Sequence, residues 1–74
     1  MKLESIEDLG AFIKESRLKY NVTQASVAYA SKVERSLINR LENGKVDGVH
    51  LSTVFKIIKG LNSSIIVHTV EREV

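Results

Sequence analysis

The stretch from Thr23 to Lys45, TQASVAYASKVERSLINRLENGK, constrains the fold of this chain more than any other, because it reads as two short helices set against each other through a tight turn. Thr23 is a good N-cap, since its hydroxyl accepts from the free backbone N–H groups of a first turn, and Val27, Ala28 and Ser31 follow on one helical face. A second segment begins near Val33 or Glu34. Within it Val33, Leu37, Ile38 and Leu41 fall on an arc of about 140° at the helical step, which leaves a second face open to solvent or a partner. That second face carries Arg35, Ser36, Asn39 and Asn43, with Arg40 at its flank, and Asn43-Gly44 supplies the left-handed geometry that ends a helix without steric cost.

Such a face is either solvated surface on an ordinary helical bundle or a reading head for DNA. The second use is geometric: the major groove admits one helix and shows each base pair as a distinct donor and acceptor pattern. Arg pairs with guanine through two bonds, Asn with adenine and Ser with several base edges, and each good two-bond contact discriminates by about 1–3 kcal/mol. Gln24, the apolar spacing and the closing Leu41-Glu42-Asn43-Gly44-Lys45 decide between them. Together they resemble the helix-turn-helix family of the lambdoid phage repressors and Cro and of the xenobiotic-response-element regulators, over about Leu9 to Leu61. The resemblance implies an all-α domain of four to five helices, lambda-repressor-like, and a double-stranded DNA partner. Carried over by position, base contact falls to Glu34, Arg35, Ser36, Asn39 and Arg40, and phosphate contact to Thr23, Gln24, Asn43 and Lys45. Gln24 also stands at a helix N-terminus, where backbone N–H groups favour an anion.

The chain departs from the family at three places. Ser31 stands where Leu is usual, Lys32 where the turn usually has Gly, and Glu34 where Ser or Thr usually caps. A left-handed Lys costs about 1 kcal/mol or more, and Glu is a poorer cap, so the fold is expected to survive. Glu34 repels phosphate but accepts from a cytosine amino group, which makes it a specificity element.

At 74 residues there is room for one domain, and a chain of this size buries only about 60% of its unfolded surface, so a dimer would help it. The absence of Cys excludes disulfides and thiolate metal sites and fits a reducing bacterial or phage-host cytoplasm. No apolar run approaches the roughly 18–20 residues of a membrane span, and no signal peptide precedes the first helix. The formal charge of +2 is unevenly spread: Lys14 to Lys45 holds seven basic and three acidic residues, leaving −2 on the remainder. Positive potential therefore lies where it is needed to displace counterions from phosphates. Neither catalysis nor a cofactor is indicated. His50 and His68 stand alone, without Cys or clustered carboxylates, and read as capping or surface residues rather than metal ligands. Tyr20 and Tyr29 read as packing residues, since base-stacking platforms usually belong to sheet-built single-strand binders.

In chain order, Met1 to Glu4 is a loosely attached start, and Ser5 with Asp8 forms a capping-box variant opening a helix to Lys19 or Tyr20. Ile6, Leu9, Phe12 and Ile13 point inward, Glu7, Lys14 and Lys19 outward, and Asn21 ends it. Arg17 lies near the inward side, where an unpaired guanidinium would be costly. The family resemblance implies its partner, the Glu of the ENGK string, and hence a structural Arg17 to Glu42 salt bridge in preference to a DNA contact. After a loop at Val46-Asp47-Gly48-Val49 a fourth helix follows, capped by His50 and closed by Asn62, with Leu51, Val54, Phe55, Ile58 and Leu61 as core. As the largest of these, Phe55 is expected to cost about 3–5 kcal/mol when truncated to Ala.

Residues 1–62 thus form the helix-turn-helix domain, and residues 63–74 change character. From Ser64 to Glu71 the β-formers Ile65, Ile66, Val67, Thr69 and Val70 read as a strand with no second strand to pair with. The economical partner is the same strand of a second copy, which gives a C2 homodimer, two reading helices about 34–36 Å apart and a palindromic operator. The alternative is a disordered tail. A fourth helix followed by such a strand, LSTVFKIIKGLNSSIIV, resembles the HipB-type antitoxins. That resemblance implies a HipA-type serine/threonine kinase toxin as partner and repression of the chain's own operon. A stand-alone Cro-like or restriction-modification controller, and a protein-interaction module that has lost DNA binding, are the competing readings.

Overall fold

In the computed structural model, which describes residues 2–70, four helices follow one another: α1 (Ile6–Lys19), α2 (Gln24–Ser31), α3 (Arg35–Glu42) and α4 (Leu51–Gly60). Met1 of the loose start and residues 71–74, including the Glu71 end of the expected strand, lie outside the described residues. None of the helices among the described residues is long and apolar enough to cross a membrane.

The α1 start follows its sequence. Ser5 Oγ accepts from the Asp8 N–H at 3.2 Å, while Asp8 Oδ2 accepts at 2.8 Å from the N–H of Glu4, one residue further back than a standard capping box. All four helices end the same way, on one left-handed residue: Asn21 (φ 55), Lys32 (φ 57), Gly44 (φ 77) and Asn62 (φ 53). The next N–H then reaches back to a carbonyl in the last turn, as from Val22 to Arg17 at 2.8 Å and from Lys45 to Arg40 at 2.9 Å. Gly44 alone supplies this geometry after α3; Asn43, expected to share it, keeps φ −97.

The core is Leu9 and Ile13 of α1, Val27 of α2, Ile38 and Leu41 of α3, and Val54, Ile57 and Ile58 of α4. α3 packs on α1 and α2, and α2 packs on α4. Two helical glycines permit these approaches. A Cβ at Gly10 would overlap the Leu41 carbonyl oxygen, and one at Gly60 would lie 2.8 Å from the Cβ of Ser31. Ser31, the small residue where Leu is usual, is therefore matched to Gly60, and its buried hydroxyl donates to the Val27 carbonyl at 2.7 Å.

Several expected core positions are corrected. Phe55 is 52% exposed and Leu51 68% exposed, while Ile57, not expected in the core, is fully buried. The apolar arc of α4 is wider than the surface α2 offers it: Val54, Ile57, Ile58 and Leu61 face inward, and Leu51 and Phe55 lie on one flank, about 70–110° round the helix. Phe55 is thus no core anchor of the single chain. Ile6 is exposed at the outer end of α1, and Tyr20 and Tyr29 are exposed rather than packed. Tyr29 faces away from Val27 and Ser31, and Lys19 Nζ sits 5.4 Å from the Tyr20 ring centre.

Beyond Asn62, residues 63–70 carry no regular secondary structure. Ile65, Ile66, Val67, Thr69 and Val70 are exposed, and the strand expected from Ser64 onward is not formed among the described residues, where these β-formers have no second strand to pair with.

Candidate nucleic-acid interface

Thr23 caps α2 as its position predicts. Its Oγ1 accepts from the Ser26 N–H at 3.0 Å, and its hydroxyl donates to Ser26 Oγ at 3.0 Å. The first two N–H groups of the helix, on Gln24 and Ala25, have no carbonyl behind them, so this end offers two donors and the positive end of the helix dipole. Arg35 lines the adjoining cleft together with Arg17, Asn21, Thr23 and Gln24.

The turn into α3 places Lys32 in left-handed geometry (φ 57, ψ 36) and Glu34 at the cap position without a side-chain cap bond. The Glu34 carboxylate is therefore not consumed by the helix it precedes. Ile38 and Leu41 are buried and Val33 and Leu37 partly so, which turns Arg35, Ser36, Asn39 and Arg40 outward; all four are exposed. Lys45 is exposed just past the end of the same helix.

Behind this face Arg17 meets Glu42 in a two-bond pair. Nε donates to Oε2 at 2.7 Å, Nη2 donates to Oε1 at 2.6 Å, and Nη1 donates to the Val22 carbonyl at 3.1 Å. The two side chains are 13% and 4% exposed, so the pair fastens α1 to the carboxyl end of α3 largely out of water. Burial pushes the Glu42 carboxyl up, but the hydrogen bonds from Arg17 and Gln24 and the charges of Arg17 and Lys14 outweigh it and hold the group below the usual carboxylate range. The bond to Glu42 raises the Arg17 guanidinium against the opposing effect of burial.

Gln24 reaches across from α2 into this arrangement. Its Nε2 donates to Asn39 Oδ1 at 3.2 Å and to Glu42 Oε1 at 3.3 Å. Asn43 Nδ2 donates to the Asn39 backbone carbonyl at 2.8 Å and to Asn39 Oδ1 at 3.4 Å. Gln24 and Asn43, both expected at phosphates, thus direct their amide hydrogens into the protein. The spacing of Asn39, Glu42 and Asn43 at three and four residues put them on one helical surface. Nothing in the sequence placed Gln24 against them, because that contact depends on how the turn sets α2 across α3. Gly10 and Gly60 also escaped the sequence reading, although an isolated Gly within a helical pattern is a known sign of close packing.

The family model described as Helix-turn-helix matches residues 13–67, a span that runs from within α1 to past the end of α4. No curated protein and no solved structure gave a match. With residues 13–67 of 74 matched and the two-helix unit in place at their centre, the chain belongs to the helix-turn-helix family of Cro/C1 type, a family of DNA-binding regulatory domains.

Proposed function

We propose that this chain is a dimeric, sequence-specific repressor that lays α3 in the major groove, and that it is the HipB-type antitoxin of a toxin–antitoxin pair. The outward row of Arg35, Ser36, Asn39 and Arg40, with a partly buried ion pair bracing the helix behind it, carries the DNA reading. Glu34, Arg35, Ser36, Asn39 and Arg40 contact base edges, and Lys45 contacts a phosphate. A second phosphate sits at the amino end of α2, held by the N–H groups of Gln24 and Ala25 and by the hydroxyl hydrogen left over in the Thr23–Ser26 pair. Residues 63–74 form the dimerisation segment, in which Ile65, Ile66, Val67, Thr69 and Val70 pair with a second copy; their exposure in the single chain supports that assignment. The resemblance of residues 51–67 to the HipB-type antitoxins supports a serine/threonine kinase toxin as the further partner, with the cytoplasm as their shared compartment.

The test is selection of binding sites from a pool of random DNA duplexes, followed by affinity measurement on selected and random DNA. A palindromic motif is expected, and Arg35→Ala is expected to cost about 1–3 kcal/mol on the selected site while relaxing its specificity. Equal losses on selected and random DNA would remove Arg35 from the base contacts. Affinity capture from nuclease-treated host lysate then separates the two regulatory roles. A stoichiometric partner of kinase size supports the antitoxin, and capture of the chain alone leaves a stand-alone regulator.

A further inference from the structure

We infer that Gln24 is a positioning residue for base specificity: it commits the Asn39 carbonyl to the protein, leaves only the Asn39 N–H donors for DNA, and so makes that position prefer guanine over adenine. The inference rests on the DNA-binding reading above.

The chain of constraint begins at Arg17. Its guanidinium donates to both oxygens of Glu42, and an ionised carboxylate can only accept. The end of the Gln24 amide that lies 3.3 Å from Glu42 Oε1 must therefore be the nitrogen, since a reversed amide would set oxygen against oxygen there. The second hydrogen of that nitrogen points at Asn39, 3.2 Å away, so the Asn39 atom that meets it must be Oδ1. Asn43 is fixed independently, because its Nδ2 donates to the Asn39 backbone carbonyl at 2.8 Å. It brings a second donor to Oδ1 at 3.4 Å. A carbonyl oxygen has two acceptor sites, and both are now used. Asn39 Nδ2 has no acceptor among the described residues, and the side chain is exposed on the outward face of α3.

Pairing with adenine through two bonds requires Asn Oδ1 to accept from N6 while Nδ2 donates to N7; guanine instead presents two acceptors, N7 and O6. An Asn that can only donate fits the guanine edge and meets the adenine N6 amino group with a donor of its own. The ordinary expectation for Asn on a reading helix is thereby reversed by a residue on the neighbouring helix.

The experiment is selection from a random pool of 24-base-pair duplexes with the wild type, Asn39→Ala and Gln24→Met, all full length. Asn39→Ala identifies the base pair that Asn39 reads, as the one position whose preference flattens. There the wild type is expected to favour guanine over adenine about tenfold, the ratio that corresponds to a typical two-bond contact. Gln24→Met keeps the side-chain length and removes both donors, so adenine is expected to rise at least to parity at that position alone. Adenine already dominant in the wild type, or an unchanged guanine preference in Gln24→Met, would overturn the inference. Side-chain amide exchange in DNA-free protein tests the same geometry without DNA. Slow exchange of the Gln24 amide and fast exchange of the Asn39 amide are expected, and the opposite order overturns the inference even where the DNA reading stands. A wild-type selection with no motif overturns the DNA reading, and the guanine preference with it.

Discussion

Replacing Arg17 with Met removes the guanidinium while keeping most of the aliphatic length, and it leaves the Glu42 carboxylate 4% exposed with only Gln24 donating to it among the described residues. Removing one member of a buried pair typically costs about 3–5 kcal/mol, because the remaining charge is stranded out of water. Arg17 retains 13% exposure, so some water reaches the site, and a cost near the lower end, about 3 kcal/mol, is expected. A domain of this size has roughly 4–11 kcal/mol in total at about 0.05–0.15 kcal/mol per residue, so the variant should fold but melt early.

The pH dependence of that loss is the sharper test. In the wild type the Glu42 carboxyl lies below its ordinary range, so its contribution is fully present above the unfolded carboxylate value of about 4.3 and disappears as pH falls through the folded value. In Arg17→Met the burial that pushes the carboxyl up is opposed only by the Gln24 bond and the Lys14 charge, so the folded value is expected to move above the unfolded one. Stability then increases as pH falls through that raised value, the opposite slope. Urea denaturation followed by circular dichroism from about pH 2 to about pH 7 reads both curves, with the exposed carboxylates cancelling in the difference. Parallel curves for the two proteins, or a loss near zero at pH 7, would refute the stranded-charge account. Adding Glu42→Gln to Arg17→Met should recover part of the loss.

Gly10→Ala places a methyl group on the Leu41 carbonyl, a backbone atom that cannot turn away, and a loss of about 3 kcal/mol in urea denaturation is expected where an ordinary helical Gly→Ala gains about 1 kcal/mol. Lys32→Gly relieves a left-handed non-glycine residue (φ 57) and should raise the melting temperature by about 4–8 °C, the shift that corresponds to about 1 kcal/mol in a domain this small. Phe55→Ala, with the ring 52% exposed, should cost the dilute monomer under about 1 kcal/mol, and a concentration-independent loss of 3–5 kcal/mol would return Phe55 to the core.

What was legible in the sequence was whatever local chemistry decides. Thr23, Ser5, Asn21 and Asn62 occupy helix ends because their side chains or their tolerance of positive φ suit those positions, and each stands where its residue type predicts. The outward set on α3 was legible for the same reason, since burying Ile38 and Leu41 leaves the opposite side no choice. The hydrogen bonds within that set were not. Whether Asn39 presents a carbonyl or an amino group to DNA depends on Gln24, fifteen positions away, and on the carboxylate behind it. Residue type states which bonds a side chain can make, and only the packing of α2 across α3 states which it has already made.

The apolar positions of α4 show a different limit. Periodicity identified Leu51 and Phe55 as residues that prefer to leave water, and in chemistry they do not differ from Val54 and Ile58. What separates them is supply: α2 is eight residues long and covers one flank of α4, so Leu51 and Phe55 on the other flank stay more than half exposed. The same holds for Ile66, Val67 and Val70, each more than 70% exposed. A pattern of hydrophobicity records the demand for burial without recording which molecule meets it. For a 74-residue chain, whose size limits how much surface it can bury alone, residues that match the core in type but not in burial are where a second copy has most to gain. The proposed dimer therefore has a direct measure. The loss caused by Phe55→Ala should grow with protein concentration if α4 joins the dimer, and should stay small at every concentration if residues 63–74 hold it by themselves.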